Sequence, residues 1–312
     1  MKSPVLFLIF NRPDTAARVL EAIRAARPPR LYVAADGPRA GRPAEAALCE
    51  QTRQLIASVD WPCEVKTLFR DQNLGCKRAV SQGISWFFEH EEQGVILEDD
   101  CLPEPSFFDY CDDLLERYKD DPRVMCVSGD NFMPDDVQQQ LKDSYYFSAF
   151  VHIWGWASWR RAWKDYDVTM SKWNSQGGKQ LLKKVFPGNA PLHRIWMNSF
   201  SKTAAGNINT WDYQWVFHCW LSGGLSCMPA RNLISNIGFD ERATHTTESG
   251  NNQANLPTQA LAMPLTHPTT VARNQQADRW SATHLYALSR FTLRRVLGRQ
   301  IKFYLGLRAS VD

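Results

Sequence analysis

Gly94-Val95-Ile96-Leu97-Glu98-Asp99-Asp100-Cys101-Leu102-Pro103 is an apolar run that ends abruptly in three consecutive carboxylates. Val95, Ile96 and Leu97, with Gly94 before them and a proline after, have the composition of a short strand buried on both faces. In an open α/β sheet, ligands settle in the crevice outside the carboxyl ends of the strands, so Glu98, Asp99 and Asp100 would line that crevice. Three adjacent anionic side chains repel one another. A hard cation with oxygen ligands, Mn²⁺ or Mg²⁺, is the least costly way to hold them together in a cleft, and such an ion would hold a diphosphate. The same residues also suit a solvated turn before a helix N-terminus, where acidic side chains are favoured.

The surrounding sequence alternates strand and helix patterns over the first 130 residues. Val5–Phe10 is a continuous apolar strand. Asn11-Arg12-Pro13-Asp14 then turns the chain, and Ala16, Val19, Leu20 and Ile23 repeat with helical spacing until Arg27-Pro28-Pro29. Leu31–Ala35 is a second strand closed by Asp36-Gly37-Pro38. Leu48, Thr52, Leu55, Ile56 and Val59 form a helical face, and Cys63–Phe69 a third strand. The loop Arg70–Gly75 enters a helix with Ala79, Val80, Gly83, Ile84 and Phe87 inward, followed by the carboxylate strand. After Pro105, Ser106 with Asp109 matches a capping box opening a helix to about Tyr118, and Val124–Val127 is a fifth strand. This order predicts a mostly parallel sheet covered by helices on both faces. Asn11-Arg12, Asp36 and Glu98-Asp99-Asp100 each follow a strand directly, so one sheet edge would gather them. Lys77 and Arg78, just after Gly75 at a helix start, combine positive side chains with free backbone N–H groups, which suits phosphate oxygens. Together these describe a nucleotide pocket, although neither GxGxxG nor GxxxxGK[ST] is present.

The chain has 312 residues, 44% of them hydrophobic, enough for a substantial core. A net charge of +3 is too mild to predict nucleic acid as a partner. The eight cysteines show no CxxC pair and several lie in apolar runs, which predicts reduced thiols. There is no apolar run of membrane-spanning length and no signal-peptide core, so the expected location is cytoplasmic.

The line from Gly94 to Val127, beginning GVILEDDCLPEPSFFDYC, resembles the metal-binding segment of N-acetylglucosaminyltransferase I and related nucleotide-sugar transferases of the GT-A fold. The preceding order is also similar: Phe10-Asn11-Arg12 ends one strand, Asp36 the next, and a Lys/Arg-bearing helix comes before the acidic motif. The resemblance covers about Val5 to His245 and implies a GT-A, Rossmann-like α/β fold. It implies that Asp100 binds the Mn²⁺ bridging the donor diphosphate, that Glu98 and Asp99 contact sugar and ribose, and that Arg12 and Asp36 hold the uridine of a UDP-sugar. The segment His152-Ile153-Trp154-Gly155-Trp156-Ala157-Ser158-Trp159 looks like the family's Gly-Trp segment beneath the transferred sugar. Asn207-Ile208-Asn209-Thr210-Trp211-Asp212-Tyr213-Gln214-Trp215 is similar to the family's Trp-Asp-Asp-Trp, which makes Asp212 the catalytic base and Trp211 an acceptor-side neighbour. Tyr213-Gln214 departs from that pattern. Thr210 is expected to N-cap the helix that follows, with Asp212 in its first turn. Ile234–Phe239 followed by Arg242–Thr246 resembles the family's donor-covering loop, with His245 against phosphate or metal.

The domain expectation is a catalytic unit over residues 1–250, with 1–130 binding the nucleotide sugar and 131–250 the acceptor. Residues 251–279, rich in Asn, Gln, Thr and Pro, read as an irregular linker, and residues 280–312 as a basic amphipathic helical tail. Such a tail suits the anionic inner face of a membrane or the protein's own surface. The functional expectation is a metal-dependent, inverting glycosyltransferase acting on a saccharide or lipid-linked saccharide acceptor in surface polysaccharide or lipopolysaccharide synthesis. A sugar nucleotidyltransferase would carry a Gly-rich basic loop after the first strand, where this chain has Asn11-Arg12-Pro13. A non-catalytic carbohydrate-binding protein would need only the aromatics.

Overall fold

The computed structural model describes residues 1–239 and 255–286. It begins with β1 (Val5–Ile9), α1 (Pro13–Ala26), β2 (Arg30–Ala35), α2 (Pro43–Gln54), β3 (Glu64–Phe69), α3 (Cys76–His90) and β4 (Gln93–Glu98), the alternation predicted from the sequence. A turn at Asp99-Asp100 leads to β5 (Cys101–Pro103), α4 (Ser106–Arg117) and β6 (Val124–Ser128). The second half contributes α5 (Asp135–Gln138), β7 (Tyr145–Ser148), β8 (Trp156–Trp159), α6 (Arg160–Trp163), α7 (Ser175–Val185), α8 (Ala190–Ala204), α9 (Asp212–Leu221), β9 (Leu225–Pro229), β10 (Ile234–Asn236) and α10 (Gln275–His284).

Eight strands form one sheet in the order β3-β2-β1-β4-β8-β6-β9-β7, and β5 and β10 pair in a small second sheet. The pairs β3·β2, β2·β1 and β1·β4 are parallel, as is β6·β9. The strands β8 and β7 run against their neighbours, so the sheet is mostly parallel, as expected. The continuous apolar runs explain its two-sided burial. Val5, Phe7, Ile9, Val95 and Leu97 face the layer of α1 and α4, while Leu6, Leu8 and Ile96 face α3 and the helices of the second half. Each such side chain contributes roughly 1.5–3 kcal/mol on leaving water. Pro13 occupies the first turn of α1, where its missing N–H costs nothing, and Arg27 ends that helix in the left-handed conformation.

Two local expectations are corrected. Ser106 and Asp109 do not form a capping box, because the Glu104 carboxylate accepts the Ser106 N–H at 2.7 Å and takes that role itself. Residues 255–274 are irregular yet packed, not a free linker: Leu261 and Leu265 are buried, and Phe147 bridges to Arg273. The helix α10 begins at Gln275 and docks through buried Asp278, which accepts from Ser148 Oγ at 2.5 Å and from the Ala149 N–H at 3.1 Å. The basic stretch from 287 onward lies outside the described residues. None of the described helices is long and apolar enough to cross a membrane.

Candidate active site

The carboxyl ends of β1, β2 and β4 open on a cavity of about 620 Å³. Its wall includes Asn11, Arg12, Asp36, Glu98, Asp99 and Asp100 from the first half and Trp154, Trp211 and Asp212 from the second. Parallel pairing brings the first set together: the register aligns Leu8 with Glu98, so the residues after β1 and β4 emerge side by side.

The acidic turn is held by specific contacts. Asp99 Oδ2 accepts the Phe10 N–H at 3.0 Å, tying the end of β1 to the end of β4. Asp100 Oδ2 accepts from Arg12 Nη1 at 2.9 Å. Burial, then the nearby charges of Asp100, Asp99 and Asp212, push Glu98 well above the usual carboxylate range, and Arg12 opposes the shift. Burial and then Asp100 push Asp99 up to about 7, with Arg12 and the Phe10 N–H opposing. The Arg12 guanidinium opposes both shifts but does not cancel them. Gly238 closes this corner from above. A Cβ there would overlap Asp100 Oδ2 and approach Arg12 Nη1 to 2.5 Å, and the Ile237 N–H bonds the Asp100 carbonyl at 2.8 Å.

Across the cavity, Asp212 stands at the first position of α9, where the helix dipole favours its charge. The N-cap is Trp211, not Thr210. The Thr210 hydroxyl instead donates to Asp212 Oδ1, which also accepts the Tyr213 N–H at 2.8 Å. Both contacts fall on one oxygen, so Oδ2 has no hydrogen-bond partner among the described residues, and Asp212 lines the cavity. Trp211 stacks on Trp156, with centroids 5.7 Å apart and planes at 21°, and its carbonyl accepts from Tyr166 at 3.0 Å. Asp212 is therefore carried on a rigid aromatic support.

Several expected site residues stand elsewhere or are otherwise engaged. Trp156 is fully buried in β8 between β4 and β6, so it supports Trp211 without lining the cavity. Gly155 is also away from the cavity surface; its φ of +59° and the Ile234 side chain, 2.8 Å (Cγ1) from where a Cβ would lie, explain the glycine. Lys77 and Arg78 do not line the cavity. The N–H groups expected to meet phosphate are occupied: Lys77 N–H faces Asn209 Oδ1 at 3.4 Å, and those of Leu74 and Gly75 bond Asp36. His245 lies outside the described residues, as does the 242–246 part of the covering loop, and Phe239 packs edge-on to Trp154 at 5.7 Å. Cys76 borders the cavity with its thiol pushed up to about 12 by burial.

Asn236 and Gly238, from the stretch expected to cover the donor, also line the cavity, as do Arg39, Arg70 and Asn73, which were not named as site residues from the sequence. Arg70 follows β3 directly and Arg39 follows the β2 turn, so the sheet-edge rule that selected Arg12 and Asp36 applied to them equally.

No known protein family matches the chain, and no curated protein does either. Solved structures match distantly. HddC from Yersinia pseudotuberculosis is 13% identical with a TM-score of 0.32, covering 53% of this chain and 80% of that one. TarS 1–349 from S. aureus is 10% identical with a TM-score of 0.35, covering 53% and 49%. Mouse xyloside xylosyltransferase 1 is 10% identical with a TM-score of 0.31, covering 70% and 81%. Likenesses this distant carry no argument for the activity of this chain.

Proposed function

We propose that the protein is a glycosyltransferase that moves a sugar from a nucleotide-sugar donor, a UDP-sugar in the first instance, to an acceptor hydroxyl. The observation that carries this reading is the opposition, across one cavity at the carboxyl edge of a mostly parallel sheet, of the Arg12–Asp100 corner and the open Asp212 carboxylate. The nucleotide lies along the ends of β1 and β2, its diphosphate toward Arg12 and Asp100, and the sugar between Trp154 and Trp211. Asp212 Oδ2 removes the acceptor proton, and Trp154 and Trp211 exclude water from the reacting face. Attack from the side opposite the leaving diphosphate gives inversion.

Among the described residues no three His, Cys, Asp or Glu side chains converge on a point that would cage a cation. The acidic turn nevertheless fits Mn²⁺ or Mg²⁺ held largely by substrate oxygens: its donors are hard carboxylates and their charge exceeds what Arg12 balances. Asp100 is the protein ligand in this reading, and the ion would neutralise charge on the departing diphosphate. The role in surface polysaccharide or lipopolysaccharide synthesis, and any contact of the tail with a membrane, belong to the same proposal. A panel of sugar nucleotides, tested by thermal shift and turnover with and without Mn²⁺, decides it. A donor-selective, Mn²⁺-dependent shift with release of nucleoside diphosphate supports the reading, and absence of any shift across the panel refutes it.

A further inference from the structure

The geometry points to Asp36 as a positioning residue that builds the nucleotide end of the cavity from two loops, and not as a group that reads the nucleotide. This deepens the donor-site reading above and rests on it for the ligand, but the loop architecture stands independently. The Asp36 carboxylate is saturated by the chain itself. Oδ1 accepts the Gly37 N–H at 2.9 Å and the Leu74 N–H at 2.9 Å, while Oδ2 accepts the Gly75 N–H at 3.0 Å and Asn73 Nδ2 at 3.0 Å. An ionised carboxylate offers about four lone-pair sites, and four donors already occupy them.

Everything around this carboxylate reinforces the clasp. Asn73 Nδ2 also donates to the Gly37 carbonyl at 2.8 Å, so the loop after β3 is joined to the loop after β2 through Gly37 as well as through Asp36. Gly37 allows the approach: a Cβ there would lie 2.5 Å from the Gln72 backbone. From behind, Arg53 Nη2 donates to the carbonyls of Asp36 at 3.1 Å and Arg70 at 2.5 Å, tying the bases of both loops to α2. The clasp holds Gly75 at a φ of +76°, which starts α3 and turns Cys76, Ala79 and Val80 into the cavity wall. A carboxylate used this way has no acceptor left for a base N–H or a ribose hydroxyl. It sets the shape of the site for every nucleotide alike, and discrimination between bases falls to other residues of that end.

Two measurements test this. In the wild-type protein without ligand, hydrogen exchange should find the Leu74 and Gly75 amides protected, and 1 mM UDP should leave that protection unchanged. Exchange at unprotected loop rates, or protection that appears or collapses on adding UDP, overturns the proposal. This readout needs no nucleotide binding, so it separates failure of the clasp from failure of the donor-site reading. For the Asp36→Asn variant, an amide NH2 donor replaces one carboxylate oxygen and faces N–H donors of the clasp, and loop opening should rise roughly 10- to 100-fold. Affinity for UDP, GDP, CDP and ADP should fall together, with their ratios to one another kept. A change in base preference with loop protection intact refutes the positioning role. If Asp36→Asn does not fold, Asn73→Ala supplies the second variant, with a smaller rise in loop opening and again unchanged base ratios. Altered base ratios there refute the proposal equally.

Discussion

Replacing Asp212 by Asn separates proton removal from every other task of the site. The carboxylate uses Oδ1 for both of its protein contacts, from the Thr210 hydroxyl and the Tyr213 N–H. An asparagine placed with its carbonyl at Oδ1 keeps both, and its amide nitrogen takes the position of Oδ2. The change in stability should therefore stay within about 1 kcal/mol, the net worth of a single hydrogen bond. Donor binding should be unchanged or tighter, because Asp212 is one of the charges that push Glu98 upward and its removal eases the acidic cluster. The chemical step is where the loss falls. Losing a general base costs roughly 10²–10⁴-fold in rate, or about 3–5 kcal/mol in the barrier. The assay is transfer from the donor that wild type turns over, in parallel with calorimetric titration of nucleoside diphosphate with Mn²⁺. Near wild-type turnover by Asp212→Asn, with its thermal stability preserved, would refute the assignment of the base.

Other perturbations address the remaining parts. Asp100→Asn should weaken nucleoside diphosphate binding roughly tenfold or more and flatten its dependence on Mn²⁺, since the proposed cation then loses its carboxylate ligand; titrations identical to wild type would remove Asp100 from the donor site. Asp99 is raised to about 7, so the folded chain keeps a proton that the unfolded chain has released, and the stability this contributes falls as pH rises from about 4, the ordinary carboxylate value, through about 7, while Glu98 is raised in the same direction. In cation-free buffer the Tm of Asp99→Asn should therefore decline less than that of wild type between about pH 5 and pH 8, and parallel declines would contradict the shift. Gly155→Ala should cost about 2–4 kcal/mol in a urea melt, from the left-handed φ plus overlap with Ile234, and a loss below about 1 kcal/mol would contradict that packing.

How far the sequence disclosed this site follows from which residues act locally. The unbroken apolar run Val5–Ile9 and the segment Gly94–Leu97 have one plausible home, a strand covered on both faces, and the charged residues after them had to appear at one edge. The helix start at Pro13 and the placement of Asp212 in the first turn of α9 were legible for the same local reason. What escaped depends on contacts between distant segments. Asp36 resembles a ligand-binding strand end until Leu74 and Gly75, brought up by the parallel pairing of β2 with β3, consume it. Trp156 resembles a sugar platform until β8 is found inserted between β4 and β6, which buries it. The short strand β5 has only three residues and exists because β10 pairs with it, so no local period announces it.

The acidic turn, the guanidinium and the base share a single electrostatic problem. Glu98, Asp99, Asp100 and Asp212 border one cavity with Arg12, and Arg12 already bonds Asp100. A nucleoside diphosphate would bring further negative charge to this corner, which favours a proton or a cation on the carboxylates beside it. Burial and the neighbouring carboxylates raise both Glu98 and Asp99, which favours their protonated forms. In the proposed donor complex a cation would compete with protons for the same carboxylate oxygens. In the proposed mechanism the proton acceptor, Asp212, stands at the start of α9, on a different element from the acidic turn that faces the diphosphate.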